Sequence, residues 1–160
     1  MTPTINHNTS SSDRRRCHPK TNPPTNFFPG SMAFDPAIGT VILYVGGLNG
    51  AETWSWSGMN WHRLSPKTSP PPRSFPTVAY DATSGKLVEY GGVCPKQQLC
   101  SDTWAYSGST WSDLKPSASP GPRAGESLVF DPRHHDLVFF GGDTGVLTSS
   151  ARADTWVWTN

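Results

Sequence analysis

Residues 77–92 read TVAYDATSGKLVEYGG, and ten residues later the chain continues with Thr103-Trp104 inside 102–111, DTWAYSGSTW. An aromatic-Asp step comes first, then a turn, then a short apolar run closed by a double glycine. The same phrase stands at 32–47, MAFDPAIGTVILYVGG, followed by ETWSWSG at 52–58. It stands again at 127–142, SLVFDPRHHDLVFFGG, followed by DTWVWTN at 154–160. Asp35, Asp81 and Asp131 are 46 and 50 residues apart, and Trp54, Trp104 and Trp156 are 50 and 52 apart. The remaining tryptophans fall two positions later (Trp56, Trp158) or seven positions later (Trp61, Trp111). A rare, bulky residue confined to recurring columns marks an internal repeat of about fifty residues.

Each copy holds four short strand candidates. The first ends in the aromatic-Asp step: Met32–Phe34, Thr77–Tyr80 and Ser127–Phe130. The second is an apolar run suited to burial on both faces: Val41–Val45, Leu87–Tyr90 and Leu137–Phe140. The third is the Trp-x-aromatic segment, whose alternating side chains put Trp54 and Trp56 on one face. The fourth follows a Ser-Gly turn, at Asn60–Leu64 and Thr110–Leu114. The third copy stops at Asn160, before any fourth strand. The expected fold is all-β: a β-propeller segment with two complete four-stranded antiparallel blades and a third lacking its outer strand, forming an open arc. Gly46, Gly47, Gly91, Gly92, Gly141 and Gly142 mark places where backbones crowd. Trp54, Trp104, Trp156, Trp61 and Trp111 are expected to fill the space between neighbouring sheets. The Pro-rich segments SPKTSPPPR and KPSASPGPR link one blade to the next, since proline cannot donate to a ladder.

Aromatic-Asp, apolar run, Gly-Gly, Asp-Thr-Trp, Ser-Gly, Trp and Pro-Arg in this order resemble the kelch repeat of microbial kelch and galactose-oxidase-like propellers. The resemblance covers about residues 24–160. It implies a propeller with blades at about 27–66, 73–116 and 123–160, preceded by a disordered polar and basic tail at 1–26. The first copy departs from the pattern, with Phe27 where the others have Arg73 and Arg123, and Glu52 where they have Asp102 and Asp154. Because propellers close with four to eight blades, three imply a fragment of a larger propeller or self-association through uncovered blade faces.

Net charge is +1. The tail carries Arg14, Arg15, Arg16 and Lys20 against Asp13, leaving the repeats near neutrality, so no nucleic-acid partner is expected. No run reaches the length of a membrane span. The start of the chain has no apolar core segment and does not read as a secretory signal. Cys94 and Cys100 bracket PKQQL in one loop. They either brace it as a disulfide or remain two free thiols, and a metal site is disfavoured for want of convergent ligands. The spacing and the resemblance favour an extracellular or cell-surface location.

No catalytic residue, metal or cofactor is expected. The galactose-oxidase resemblance implies two histidines and two tyrosines on copper. Tyr44, Tyr80, Tyr90 and Tyr106 occupy packing columns, His134 and His135 sit in a turn, and His62 flanks a strand tryptophan. The repeated Asp35, Asp81 and Asp131 suit turn capping. The segments between Gly-Gly and Thr-Trp vary most: Leu48–Glu52, Val93–Asp102 and Asp143–Asp154. A constant scaffold with variable loops on one side is how binding faces are built. The candidate ligand-binding residues are therefore Arg73, Arg123, Lys96, Gln97, Gln98, Asp143 and Arg152. For Arg73 and Arg123 the favoured role is structural, pairing with the Asp before Thr-Trp in the same or a neighbouring blade. The resulting reading is a non-catalytic recognition or scaffold module for a protein or glycan. One alternative is a fragment of a copper oxidase, and another is a structural surface repeat without a ligand.

Overall fold

The computed structural model describes residues 18–23, 30–47, 50–146 and 150–159. The described residues form three main antiparallel sheets. The first runs in chain order, β1 (Ser31–Asp35), β2 (Thr40–Gly47), β3 (Gly50–Trp56) and β4 (Trp61–Leu64). The second contains β5 (Thr77–Asp81) and β6 (Lys86–Tyr90), then, after an inserted ribbon, β9 (Thr103–Tyr106) and β10 (Trp111–Asp113). The ribbon is β7 (Val93–Cys94) paired with β8 (Gln98–Leu99) across a single 3-10 turn, Pro95–Gln97, which the sequence pattern did not predict. The third sheet has three strands, β11 (Ser127–Asp131), β12 (Asp136–Phe140) and β13 (Thr155–Trp158). None of the sheets closes into a barrel, and the arrangement is that of a partial β-propeller.

The turns follow from the repeated aspartates. Asp35, Asp81 and Asp131 each accept the N–H two residues on through Oδ1, at 2.9, 2.9 and 2.8 Å. Their carbonyls accept N–H from Gly39, Gly85 and His135, all at 2.9 Å. The accepting turn needs a left-handed residue, φ +68° at both glycines and +62° at His135. Of the segment Leu48–Glu52, Gly50, Ala51 and Glu52 belong to β3, which stays paired with β2 out to Gly47 and Gly50, and Leu48 and Asn49 lie outside the described residues.

The core lies between sheets. Ile42, Tyr44, Val78, Leu87, Tyr106 and Trp111 form one buried cluster between the first and second sheets, and Ala79, Val88 and Leu137 form another between the second and third. Trp111 is the tryptophan that bridges sheets most fully, with its indole N–H on Thr53 Oγ1 at 3.0 Å. Trp156 is more than one-third exposed: it shares with Phe139 the face turned to the second sheet, and among the described residues no strand pairs the outer edge of β13 as β4 and β10 do beside Trp54 and Trp104. Residues 18–23 fall within the stretch read as a tail, yet they lie against the first sheet, where Thr21 O accepts the Trp61 N–H at 3.3 Å. The Arg14–Arg16 run, Cys17 and Phe27 lie outside the described residues.

The double glycines meet the neighbouring sheet. A Cβ on Gly46 would lie 1.7 Å from Arg73 O, and one on Gly91 2.6 Å from Arg123 O. Gly46→Ala should therefore lower the chemical-denaturation midpoint by the equivalent of at least about 2 kcal/mol. Gly39→Asn, at an open position whose conformation Asn tolerates, should stay within about 0.5 kcal/mol of the parent.

Candidate functional site

Arg73 and Arg123 sit at the start of the second and third sheets, and both are buried. Arg73 grips Asp102 bidentately, Nη1 to Oδ1 and Nη2 to Oδ2, both at 2.7 Å, and Nη1 also donates to Gly91 O at 3.1 Å. Arg123 takes Asp154 through a single bond, Nη1 to Oδ1 at 2.8 Å, with Nη1 also donating to Gly141 O at 3.0 Å and Nη2 to Pro120 O. Its guanidinium lies 5.5 Å above the Phe139 ring. Each aspartate also accepts from the indole two residues on, Trp104 at 2.6 Å and Trp156 at 2.7 Å. The arginine pairs are thus within a blade, and they fix the strand bearing Asp-Thr-Trp to the link that opens the same blade. The first sheet keeps the bracket with different parts: Glu52 accepts from Trp54 at 2.9 Å and pairs with Arg63 of β4 at 3.1 Å.

Two buried glutamates stand out here that the sequence reading passed over. Glu89 is wholly buried, with Oε1 3.2 Å from Arg73 Nε. That N–H points at Pro71 O instead, so neither Glu89 oxygen has a hydrogen-bond partner among the described residues. Burial pushes its carboxyl up to about 8, with the Arg73 charge opposing. The signal was present in the sequence, since the column holds Leu43 and Phe139 in the other repeats. Glu126, also buried, likewise has two oxygens without hydrogen-bond partners among the described residues and is pushed up to about 7 by burial. Hydrogen bonds from Arg123 and Trp156 hold Asp154 down at about 2. At Asp102, burial opposes the charge, yet the bonds from Arg73 and Trp104 keep its pKa below the usual range.

Outside this bracketed interior lies the variable loop face. The Cys94–Cys100 disulfide closes the ribbon. The exposed Lys96 and Gln97 form its tip with φ of +63° and +57°, and Gln98 pairs with Cys94. Asp143 Oδ1 accepts N–H from Gly145 and Ser150, both at 2.8 Å, which ties the third loop onto itself. An open cleft of about 610 Å³ separates the two loops, lined by Leu99, Pro120, Arg123, Thr144, Arg152 and Asp154 among others. Arg123 and Arg152 of the candidate residues are brought together there. Arg123 contributes through a side chain already occupied by Asp154, whereas Arg152 is exposed. Arg73, Asp143 and the Lys96–Gln98 tip are not among the residues lining that cleft.

The copper donor set implied by a galactose-oxidase-like resemblance is not assembled among the described residues. The hydroxyls of Tyr44, Tyr90 and Tyr106 donate to the carbonyls of Pro71, Gly121 and Gly108. His134 is exposed and binds Asp131 at 2.7 Å.

No family model matches the sequence, and no curated protein matches it. Among solved structures, the chain is similar to YjhT, with TM-score 0.55 and 15% identity over 79% of this chain and 41% of that one. It is also similar to a fungal alcohol oxidase of the AA5 family in complex with copper, with TM-score 0.54 and 15% identity over 83% of this chain and 29% of that one. The chain spans less than half the length of either. The likeness supports a kelch or galactose-oxidase-like β fold.

The bracket yields two expectations. Arg73→Ala removes the countercharge of the partly exposed Asp102 carboxylate and the donor to Gly91 O, and should cost at least about 2 kcal/mol in urea unfolding. The pH dependence has a definite sign. Glu89 and Glu126 have folded values of about 8 and about 7, above their ordinary 4.5. As pH rises the unfolded chain releases these protons first, so stability falls from about pH 5 to pH 8. Glu89→Leu, which places the first repeat's residue in the column, should flatten that slope and raise the melting temperature at pH 8.

Proposed function

We propose that this chain is a non-catalytic, kelch-type recognition module that binds a protein or a glycan on its variable loop face. The observation carrying this reading is the cleft between the disulfide-braced ribbon and the third loop. Leu99, Thr144, Arg152 and Ala153 of its walls come from the segments that differ most between repeats, and the repeated Pro-Arg link at Pro120–Arg123 forms its floor beside Asp154. Arg152 supplies an exposed planar donor fork. Thr144 and the outer edge of Asp154 add a hydroxyl and a carboxylate, and Leu99 and Pro120 give flat apolar walls. Such a mixture suits a sugar whose C–H face packs on the apolar wall while its hydroxyls meet the polar groups, or an acidic side chain of a protein partner. The disulfide favours an oxidising, extracellular or cell-surface setting.

The second reading, a fragment of a copper oxidase, is favoured by the similarity to the copper-bound alcohol oxidase. It places the metal donors in sequence beyond this chain. A glycan array and a peptide display screen on the full chain, followed by Arg152→Ala, test the first reading. Binding should fall at least about tenfold while the melting temperature stays unchanged, because that side chain is exposed. Stoichiometric copper uptake with hydrogen peroxide formation from alcohols would instead establish the second. Reducing Cys94–Cys100 should weaken binding as well, by releasing the ribbon that presents Leu99.

A further inference from the structure

Five described residues other than glycine adopt a left-handed backbone: Phe75, Lys96, Gln97, Lys115 and His135. Three of them gather on the variable loop face, around the disulfide ribbon. Ser74 and Val93 exchange N–H to O bonds at 2.9 and 2.7 Å, so Phe75 stands at the base of the ribbon. Lys96 and Gln97 form its tip. The sister position of Phe75 in the third repeat is Gly125, with φ +71° against +54°. The two are bonded to each other, Gly125 N–H donating to Phe75 O at 3.2 Å. A bulky side chain makes this conformation costly, and glycine or asparagine would hold it with less strain. Burial does not offset the cost, since Phe75 is 46% exposed and Lys96 and Gln97 are exposed.

Strain that packing does not require points to a contact outside the chain. The surroundings impose the conformation here. Cys94–Cys100 closes the ribbon, Arg123 N–H donates to Cys100 O at 3.2 Å, and Cys100 N–H donates to Gly92 O at 2.9 Å. An aromatic ring and two long polar side chains are thus presented on a braced support, with little backbone left to order on binding. The support adjoins the cleft. Leu99 of the ribbon and Arg123 line it, and Gly125, bonded to Phe75, follows Arg123 by two residues.

Charge narrows the ligand. Asp143 Oδ1 is taken by two backbone N–H groups, and Asp154 gives one oxygen to Arg123 and the other to the Trp156 indole. Lys96 and Arg152 are exposed cations on the two loops that the cleft separates. We propose that this face binds an acidic glycan, a chain of uronic acid units, with one sugar ring packed on Phe75, carboxylates at Lys96 and Arg152, and Gln97 bonded to a hydroxyl. This rests on the recognition reading above and names its ligand class. A sugar chain fits better than an acidic peptide for two reasons. The cleft, about 610 Å³, lies within the range of roughly 300–1,000 Å³ typical of small-ligand sites. Each uronate unit also carries both an apolar C–H face and a carboxylate, the pairing that Phe75 and the two cations require.

Calorimetric titration of the full chain with hexagalacturonate, cellohexaose and hexaglutamate tests this. Hexagalacturonate should bind at least about tenfold more tightly than the other two, and its affinity should fall as salt rises. Phe75→Gly, and separately Lys96→Asn combined with Gln97→Gly, should hold or raise the melting temperature, because each change relaxes the backbone. Each should also weaken hexagalacturonate binding by at least about tenfold. Phe75→Trp should retain binding, which separates loss of the ring from a change of backbone. The proposal is overturned if hexagalacturonate does not bind, or if cellohexaose or hexaglutamate binds as tightly. It is overturned equally if the glycine variants melt lower and bind unchanged, the result of a purely structural role. A ligand from the array or display screen that responds to Arg152→Ala but not to Phe75→Gly would leave the recognition reading standing and remove this one.

Discussion

Two arginines hold the arc together, each by both its side chain and its carbonyl. The Arg73 guanidinium reaches back into its own sheet, to Asp102 and to Gly91 O, while Arg73 O presses against Gly46 of the sheet before. Arg123 does the same one sheet later: its guanidinium takes Asp154 and Gly141 O, and its carbonyl accepts the Gly92 N–H at 2.9 Å. A charge buried this way is tolerable only because carboxylate and carbonyl acceptors surround it. The approach of that carbonyl is possible only because the facing residues lack a Cβ. The glycine pair and the Pro-Arg link are therefore one constraint seen from two sheets.

Much of this was legible in the sequence, for a physical reason. Features that serve every sheet recur at a fixed spacing, so the aspartate turns, the strands, the missing outer strand and the option of an Arg–Asp pairing could be read from the columns. What occurs once leaves no column. Glu89 was overlooked because it hides in an apolar position, and Glu126 because its counterpart is Pro76. The Glu52–Arg63 pair was hidden for another reason: it restores across β3 and β4 a charge balance that the other sheets draw from the link. Residues 18–23 read as tail because proline, lysine and asparagine resemble a linker in any context.

The same division separates scaffold from candidate site. Asp102, Asp154 and the arginines repeat, and they are largely consumed by internal bonds. Arg152, Thr144 and Leu99 do not repeat, and they line the cleft beside Arg123 and Asp154 with side chains free of that bracket. The one disulfide among the described residues belongs to the second group. It stiffens the paired-strand ribbon inserted in the second sheet's variable segment, and it leaves Lys96 and Gln97 at the tip in a left-handed conformation. Identity in this molecule is carried by what differs between repeats, and stability by what does not.

The packing also shapes how the chain would come apart. Contacts between sheets run from the first to the second and from the second to the third, β1 against β5 and β5 against β11, so free energy is stored in a series of nearest-neighbour couplings. The middle sheet shares two of them and each outer sheet one. Cooperativity in such a series belongs to the junctions rather than to the sheets. Opening is least costly at the ends of the arc, and the second sheet, with its disulfide ribbon, is the last to lose its order.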